Sequence, residues 1–333
     1  MQRSEANVPR YRGGRRGHYE SYFLRANHPT ESSGFWLRYT IFAPSGGRSA
    51  ARAEVWAAVF RADGTVAVRT DTALTTSSFV DGGDSLDIRV GNAVMHDDPR
   101  AGRGSARGAV ASEGHEIRWD LAYDGGDEPV LLLPERLYQT RLPRAKALVT
   151  VPMAGFDGRL SVDGEPVEVS GWVGSANHNW GSRHTDAYAW GQVAGFDNAP
   201  GSFLECSSAH LKIAGPVWAP WLSPMVLRHD GIEYNLTAVS AARRVHASYD
   251  TTGADYTWSL RTRTVDDEAQ VDLAVDFRAP RSAFVRFDYP NPPGGVKCCQ
   301  NTKIAECRVR IAKTGQAPIV LQTAHRAAFE ILS

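Results

Sequence analysis

Hydrophobic and polar residues alternate along most of the chain, with the period of two that is typical of strands. In residues 34–44, Phe35, Leu37 and Tyr39 fall on one face of such a strand. The same alternation recurs downstream in HEIRWDLAY, YTWSLRTRT and QVDLAVDFRA. No long segment has a helical period, and the best helix candidate, residues 323–332, fits a last strand equally well. The pattern predicts an all-β protein.

Turn signals at regular intervals indicate that the strands are antiparallel. Asp63–Gly64 joins two β-rich runs, and further Asp-Gly dipeptides follow along the chain. Their spacing predicts about 16 to 20 strands. That number is too large for one small sandwich, and 333 residues exceed the usual size of a single core. We therefore expect two antiparallel β-barrel or barrel-sandwich domains.

Composition divides the chain into three segments. Residues 1–17 carry five arginines against one glutamate and predict a flexible basic arm. The prolines and glycines of residues 143–160 interrupt the strand pattern, so we place the domain boundary there. The two β domains are then residues 18–160 and 161–333.

Charge and cysteine content exclude several classes of function. Basic and acidic residues balance at 37 each, so no overall field attracts nucleic acid or an anionic membrane. The N-terminus is polar and no apolar run is long enough to span a bilayer, so we expect a soluble, cytoplasmic protein without stable membrane insertion. Cys206, Cys298, Cys299 and Cys307 lack zinc spacing and are expected to be thiols. Nucleotide and phosphate-loop motifs are missing, so no cofactor or metal is expected.

The stretch GSANHNWGSRHTDAYAWG, residues 174–191, concentrates imidazoles, amides and large rings. We expect an approach strand before it, a connecting loop over 174–186 and a departing strand after it. Loops rich in such groups often carry binding or catalytic residues. His178 or His184, with Asp186 or Glu205, would suit general acid–base chemistry.

Two other interpretations of this stretch stay open. His178, His184 and Asp186 have a spacing that a metal site could use, although loosely. Alternatively, the amides of Asn177 and Asn179 satisfy backbone groups, His178 sits in a polar core, and Trp180 and Trp190 only pack. No Gly-x-Ser-x-Gly motif supports a nucleophilic serine.

Two further stretches combine rings with charges. In residues 17–29, Glu20 lies among Tyr19, Tyr22 and Phe23, and a buried carboxylate there needs a partner such as Arg25 or another basic group. Residues 287–309 predict a structured loop that closes the second domain and has some chance of bordering a pocket.

Together these stretches resemble a known superfamily. YESYFLR, residues 19–25, is similar to the Phe-Glu-Gly-Trp-Tyr-Phe-Arg opening of tocopherol cyclase-like proteins, and NHNWG, residues 177–181, resembles an Asp-His-x-Trp-Gly segment. The latter belongs to the lipocalin-like superfamily of carotenoid 1,2-hydratases, AttH-like proteins, tocopherol cyclases and certain Diels–Alderases. The resemblance implies two lipocalin-like β-barrel domains with an apolar cavity near their junction, and metal-free chemistry on isoprenoid or polyketide-like molecules.

One position departs from the resemblance. Asn177 stands where much of the superfamily has an acid, and an amide cannot donate a catalytic proton. Proton transfer would then fall to Glu20, Asp186, His178 or His184.

These observations predict a cofactor-independent enzyme that hydrates, dehydrates, cyclises or isomerises a lipophilic small molecule. The alternatives are a non-catalytic carrier or sensor of such a ligand and, more weakly, a metal-dependent hydrolase. The oligomeric state is left open. The expected ligand-binding residues are Asn177, Asn179, Trp180, Tyr188, Trp190, Tyr19 and Tyr22.

Overall fold

The computed structural model describes residues 1–47, 51–83, 85–126, 128–214, 217–266 and 269–332. Within them the chain is almost entirely strand, as the alternation predicts, and all ladders are antiparallel. Two short α-helices, α1 (Arg3–Asn7) and α2 (Val239–Ala242), are accompanied by 3₁₀ turns at Ser45–Gly47, Leu74–Thr76, Glu135–Gln139 and Arg281–Ala283.

Twelve strands form the first sheet. They are β1 (His18–Asn27), β2 (Ser33–Ala43), β3 (Arg52–Arg61), β4 (Gly64–Ala73), β5 (Ser77–Asp81), β6 (Leu86–Val90), β7 (Ala93–Asp98), β8 (Arg103–Ser112), β9 (His115–Asp124), β10 (Val130–Leu131), β11 (Ala145–Val162) and β12 (Glu165–Gly181). Their order is β4-β3-β2-β1-β12-β11-β9-β8-β7-β6-β5, with β10 also on β11. The sheet curls into a nearly closed barrel, since β4 approaches β8 and β9 and the Arg69 amide donates to Ser112 Oγ at 3.0 Å.

Ten strands form the second sheet, which is a curled half-barrel. They are β13 (Ala187–Phe196), β14 (Ala199–His210), β17 (Met225–His229), β18 (Ile232–Asn235), β19 (His246–Asp250), β20 (Asp255–Asp266), β21 (Ala269–Pro280), β22 (Val285–Pro290), β23 (Val296–Lys313) and β24 (Ile319–Leu332). Their order is β18-β17-β14-β13-β24-β23-β21-β20-β19, with β22 also on β23, while β15 (Lys212–Ala214) and β16 (Val217–Trp218) form a separate pair.

Each sheet encloses its own hydrophobic core, and a third cluster joins the two. Phe35, Phe156 and Trp172 are buried in the first barrel, and Trp258 and Phe277 are buried in the second. The joining cluster takes rings from both sheets, namely Phe23, Trp36, Trp56, Trp190, Phe287 and Tyr289. The all-β class with two barrel-like domains is thus confirmed.

Several details differ from the expectations. The described residues form 24 strands, more than 16 to 20, because short edge strands lack turn signals of their own. Residues 143–160 lie mostly in β11. The register of β11 against β12 shifts just before the glycine at 158, so the strand has a bulge there and continues beyond it. The chain passes from the first sheet to the second between Gly181 and Ala187, so residues 161–181 lie with the first sheet. Residues 323–332 are strand, and residues 287–309 are the β22–β23 hairpin rather than a closing loop.

The first residues of the chain pack onto the first barrel, where a flexible arm was expected. Arg3, Ala6 and Asn7 are buried, and Arg3 forms an ion pair with the buried Asp97. Asp97 also accepts from the Tyr123 hydroxyl at 2.6 Å. A buried carboxylate needs such partners, and they hold α1 against the barrel.

Two further observations concern the whole chain. The four cysteines are free thiols, with Cys206, Cys299 and Cys307 buried, as expected. In the described ranges, no helix combines the length and apolarity that a membrane crossing requires.

Candidate functional site

A cavity of about 810 Å³ lies between the two sheets. The first sheet supplies Phe23 and Trp36 to its wall, and the second supplies Trp190 and Glu205. Leu132 and other aliphatic residues of the segment 131–148 line another side. A cavity of this size, mostly apolar with a few polar groups, is the usual form of a small-molecule site.

The predicted loop at 174–186 is strand as far as Gly181, and this decides where its side chains point. In β12, Asn177 pairs in register with Phe23, and His178 pairs with Tyr22. Successive side chains of a strand face opposite sides. Asn177 therefore contacts the second sheet through Gln192, whereas His178 contacts Glu20 inside the first barrel.

His178 and Glu20 form a fully buried pair. His178 Nε2 lies 2.9 Å from Glu20 Oε1, and His178 Nδ1 lies 2.7 Å from the carbonyl oxygen of Ala6. Both ring nitrogens thus lie within hydrogen-bond distance of an oxygen. The pair joins the N-terminal segment to the barrel.

The surroundings of Glu20 keep it ionised. Burial alone would raise its pKa, but hydrogen bonds from His178 and His18 and the backbone amide of Arg10 hold the pKa well below the usual range. Arg25, the partner first considered for Glu20, points to the other face and binds Gln192. Glu20 therefore cannot donate a proton at neutral pH.

Tyr22 and Trp180 share this inward face of the first barrel. The Tyr22 hydroxyl donates to the Asn7 carbonyl at 2.8 Å, and its ring stacks on His178 at 4.1 Å. Trp180 packs against Tyr138, with ring centres 5.8 Å apart. Neither residue lines the cavity, unlike Tyr19, Asn179, Tyr188 and Trp190.

Glu205, on β14, is a buried carboxyl of the cavity wall. It is 2% exposed, and its two oxygens accept from the Trp190 indole N–H and from Gln192 Nε2, each at 3.0 Å. Burial raises its pKa from 4.5 to about 7, although these two donors and the charge of Arg25 act in the opposite direction. Glu205 is thus poised to exchange a proton near neutral pH.

Gln192 fixes the position of Glu205 through a complete set of hydrogen bonds. Its Oε1 accepts from Ser175 Oγ at 2.6 Å and from Arg25 Nη1 at 3.1 Å. Its Nε2 donates to Asn177 Oδ1 at 2.8 Å and to Glu205. Asn177 therefore helps to hold Gln192 in place, and the buried carboxyl that Gln192 contacts belongs to a different strand.

His184 and Asp186 lie at another part of the cavity wall. Burial and the charge of Arg38 lower the pKa of His184 to about 3, so the ring is neutral and its Nε2 donates to the Pro290 carbonyl at 3.2 Å. Its face stacks on Tyr19 at 4.0 Å. Asp186 forms an ion pair with Arg183 and accepts from the Lys212 amide at 2.8 Å.

These separate partners overturn the metal-site alternative. His178 faces the barrel interior, while His184 and Asp186 have partners of their own. Over the described ranges, no three His, Cys, Asp or Glu side chains lie close enough to hold a metal ion.

Sequence reasoning missed the charged groups that come from distant strands. Glu330 and Lys303 form a buried ion pair at 2.7 Å, and Glu330 also accepts from the Tyr188 hydroxyl at 3.2 Å. Arg38, from β2, lines the cavity as well. The sequence suggests Glu205 only as a partner for a histidine. The signal for its burial is its place among the apolar residues of FLEC, residues 203–206, all of which are buried in β14.

Comparison with known proteins places the fold. No protein-family model matches the sequence, and no curated protein matches it. Among solved structures, CghA is 13% identical, with 95% of this chain and 88% of that chain covered and a TM-score of 0.59. CghA with Sch210972 gives 14% identity, the same coverage and a TM-score of 0.59.

Two other solved structures also have a similar fold. A protein of Nitrosomonas europaea provisionally named AttH is 12% identical, covering 96% of this chain and 92% of that chain with a TM-score of 0.55. Kievitone hydratase from Nectria haematococca is 10% identical, covering 95% and 88% with a TM-score of 0.54. The chain thus has the same overall fold as these solved structures.

Proposed function

We propose that the protein is an enzyme that binds a lipophilic small molecule in the cavity between its sheets and transfers a proton to it from Glu205. The observation that carries this proposal is a buried carboxyl with a pKa near 7 on the wall of an 810 Å³ cavity. A general acid works best when its pKa lies near the working pH.

The surroundings of Glu205 suit chemistry on a double bond. The neutral carboxyl would protonate an alkene or a carbonyl, and the faces of Trp190, Phe23 and Trp36 would stabilise the positive charge that develops on carbon. The resulting Glu205 carboxylate would then remove a proton from attacking water or from a neighbouring carbon. The first route gives hydration, and the second gives isomerisation or cyclisation.

The similarity to kievitone hydratase and to CghA bound to Sch210972 supports this proposal by analogy of fold. Isoprenoid and polyketide-like molecules are the substrate classes to test.

The test compares the wild-type protein with Glu205→Gln over a panel of such molecules. Binding is followed by the fluorescence of Trp190 and Trp36, and conversion by mass spectrometry. We expect the variant to bind the converted compound but to turn it over about 100-fold more slowly, the lower range for loss of a general acid.

Glu54→Gln is the matched control. Glu54 is equally buried and accepts an indole N–H from Trp56 at 3.0 Å, but it lies outside the cavity wall. This variant should keep wild-type turnover. Equal turnover by Glu205→Gln would refute the role of Glu205.

The carrier alternative keeps one observation in its favour. Asn177 and Gln192 form hydrogen bonds with each other and with neighbouring protein groups, as amides with a structural role do. Stoichiometric binding of a ligand that is recovered unchanged under all pH conditions would support the carrier and contradict the enzyme.

A further inference from the structure

Arg38 is a buried cation without an acidic partner. It is 5% exposed and lines the cavity. Its Nε and Nη2 both donate to Ser21 Oγ, at 2.9 and 2.8 Å. The guanidinium lies over the Tyr289 ring at 4.4 Å and near the Trp36 ring at 5.8 Å. Among the described residues, no carboxylate pairs with it.

The other buried cations of the junction have more hydrogen-bond acceptors than Arg38. Arg25 donates from its two Nη atoms to the carbonyl oxygens of Gln192 and Arg326 and to the Asn27 side chain, although its Nε has no partner among the described residues. Lys303 pairs with Glu330. Two nitrogens of Arg38 share a single acceptor, the hydroxyl oxygen of Ser21. Its Nη1 has no acceptor within the described part of the chain.

The neighbours of Arg38 do not compensate its charge. Tyr19 stays neutral because burial raises its pKa, against the effect of Arg38. His184 is neutral for the reasons given above. A buried charge without a counter-ion is costly, and a cation–π contact offsets only part of that cost. An anionic oxygen from a ligand would complete the pairing.

A second unsatisfied donor lies in the same wall. Trp36 is 2% exposed, and its indole N–H has no hydrogen-bond acceptor among the residues that the structure describes. Trp36 and Arg38 are two positions apart on β2 and so face the same side. Both donors therefore border one region of the cavity.

We propose that Arg38 binds the anionic head group of the substrate, so that the substrate is a lipophilic acid such as a long-chain carboxylate. This inference rests on the proposed function and narrows its substrate class. Arginine suits the role because its planar guanidinium holds a carboxylate through two parallel hydrogen bonds.

The register places this subsite away from the proton donor. Arg38 and Asn177 both pair with Phe23, on either side of β1. Two strand spacings separate their backbones by about 10 Å. Asn177 leads through Gln192 to Glu205, so the strands that carry the head-group subsite and the link to the proton donor lie on opposite sides of β1.

The test uses cis-parinaric acid and its methyl ester as fluorescent probes, below their aggregation concentrations at pH 8. The two differ only in the head group, which is an anionic carboxylate in the acid and a neutral methyl ester in its derivative. We expect the wild-type protein to bind the acid at least tenfold more tightly than the ester. Arg38→Met should lose this preference while keeping its affinity for the ester.

Three variants control the measurement. Arg69→Gln removes an arginine that also lies over a ring, Trp56 at 4.4 Å, but stands outside the cavity wall, so it should keep the preference. Glu205→Gln should also keep it, since the head group is bound elsewhere. Lys146→Met tests another buried cation of the wall, whose Nζ donates to the Pro143 carbonyl at 2.7 Å.

The outcomes separate this inference from the proposed function. Equal binding of acid and ester by the wild type would overturn the inference alone. So would a preference for the acid that survives in Arg38→Met, or one that disappears only in Lys146→Met. Binding of neither probe, with the panel also unbound, would overturn both. Arg38→Met should melt no lower than the wild type, because it removes an uncompensated charge, and circular dichroism checks that it folds.

Discussion

Glu205 should make the protein less stable as pH rises through the neutral range. Its pKa is about 7 in the folded chain against 4.5 for an ordinary glutamate. Below pH 4.5 both states hold the proton, so the group has no net effect. Between 4.5 and 7 the folded chain holds a proton that the unfolded chain has released, so each rise in pH favours unfolding.

The size of the effect follows from the two pKa values. At 1.36 kcal/mol per pKa unit, the rise from 4.5 to about 7 corresponds to about 3 kcal/mol, fully developed above pH 8. Glu205 is almost completely buried, so solvent screening reduces this figure little. Other carboxylates act in the opposite direction, Glu20 among them, because its pKa is lowered.

Glu205→Gln isolates this contribution, because glutamine does not titrate and the other groups are unchanged. The free energy of unfolding is measured by urea at pH 5, 6, 7 and 8 for both proteins. We expect the wild type to lose about 3 kcal/mol relative to the variant across this range. A difference that stays constant with pH would mean that Glu205 is ionised throughout, which would refute the reasoning.

Two further substitutions test the architecture around the site. His178→Ala should lower the free energy of unfolding by about 3 kcal/mol, because it removes the buried hydrogen bonds of the imidazole to Glu20 and to the Ala6 carbonyl, and should speed amide hydrogen exchange over residues 3–11; unchanged stability and exchange would show that the pair does not hold the N-terminal segment. Gly174→Ala should cost about 3 kcal/mol in a thermal or urea melt, because its Cβ would come within 1.8 Å of the Arg25 carbonyl oxygen, whereas Gly201→Ala, with nothing within 4 Å, should be neutral. Equal effects of the two glycine substitutions would contradict the close strand packing described above.

The fold could be predicted from local patterns because its strands are antiparallel and joined by recognisable turns. Asp163 and Gly164 have positive φ angles of 53° and 87° and connect β11 to β12, as an Asp-Gly turn should. The Asp157–Gly158 pair has the same letters but lies inside β11 at a register shift. The pairing of β9 and β12 on either side of β11 overrides the local signal there.

The site was harder to predict because its geometry depends on register. The glycine at 174 is typical of a loop, and residues 174–186 were expected to form one. In the structure Gly174 lies in a strand, where the neighbouring β1 backbone leaves no space for a Cβ. Once Asn177 and His178 are in a strand, they must face opposite sides. Glu205 meets Trp190 and Gln192 through the β13–β14 ladder, and such a cross-strand pairing is not visible in the order of residues.

The most direct test of the account is the pKa of Glu205 itself. Selective ¹³C labelling of glutamate carboxyls, with Glu205→Gln used to assign the resonance, follows this one group by NMR from pH 4 to 9. We predict a single titration near pH 7. A Glu205 resonance that titrates at or below 4.5 would contradict the claim that this carboxyl supplies the proton.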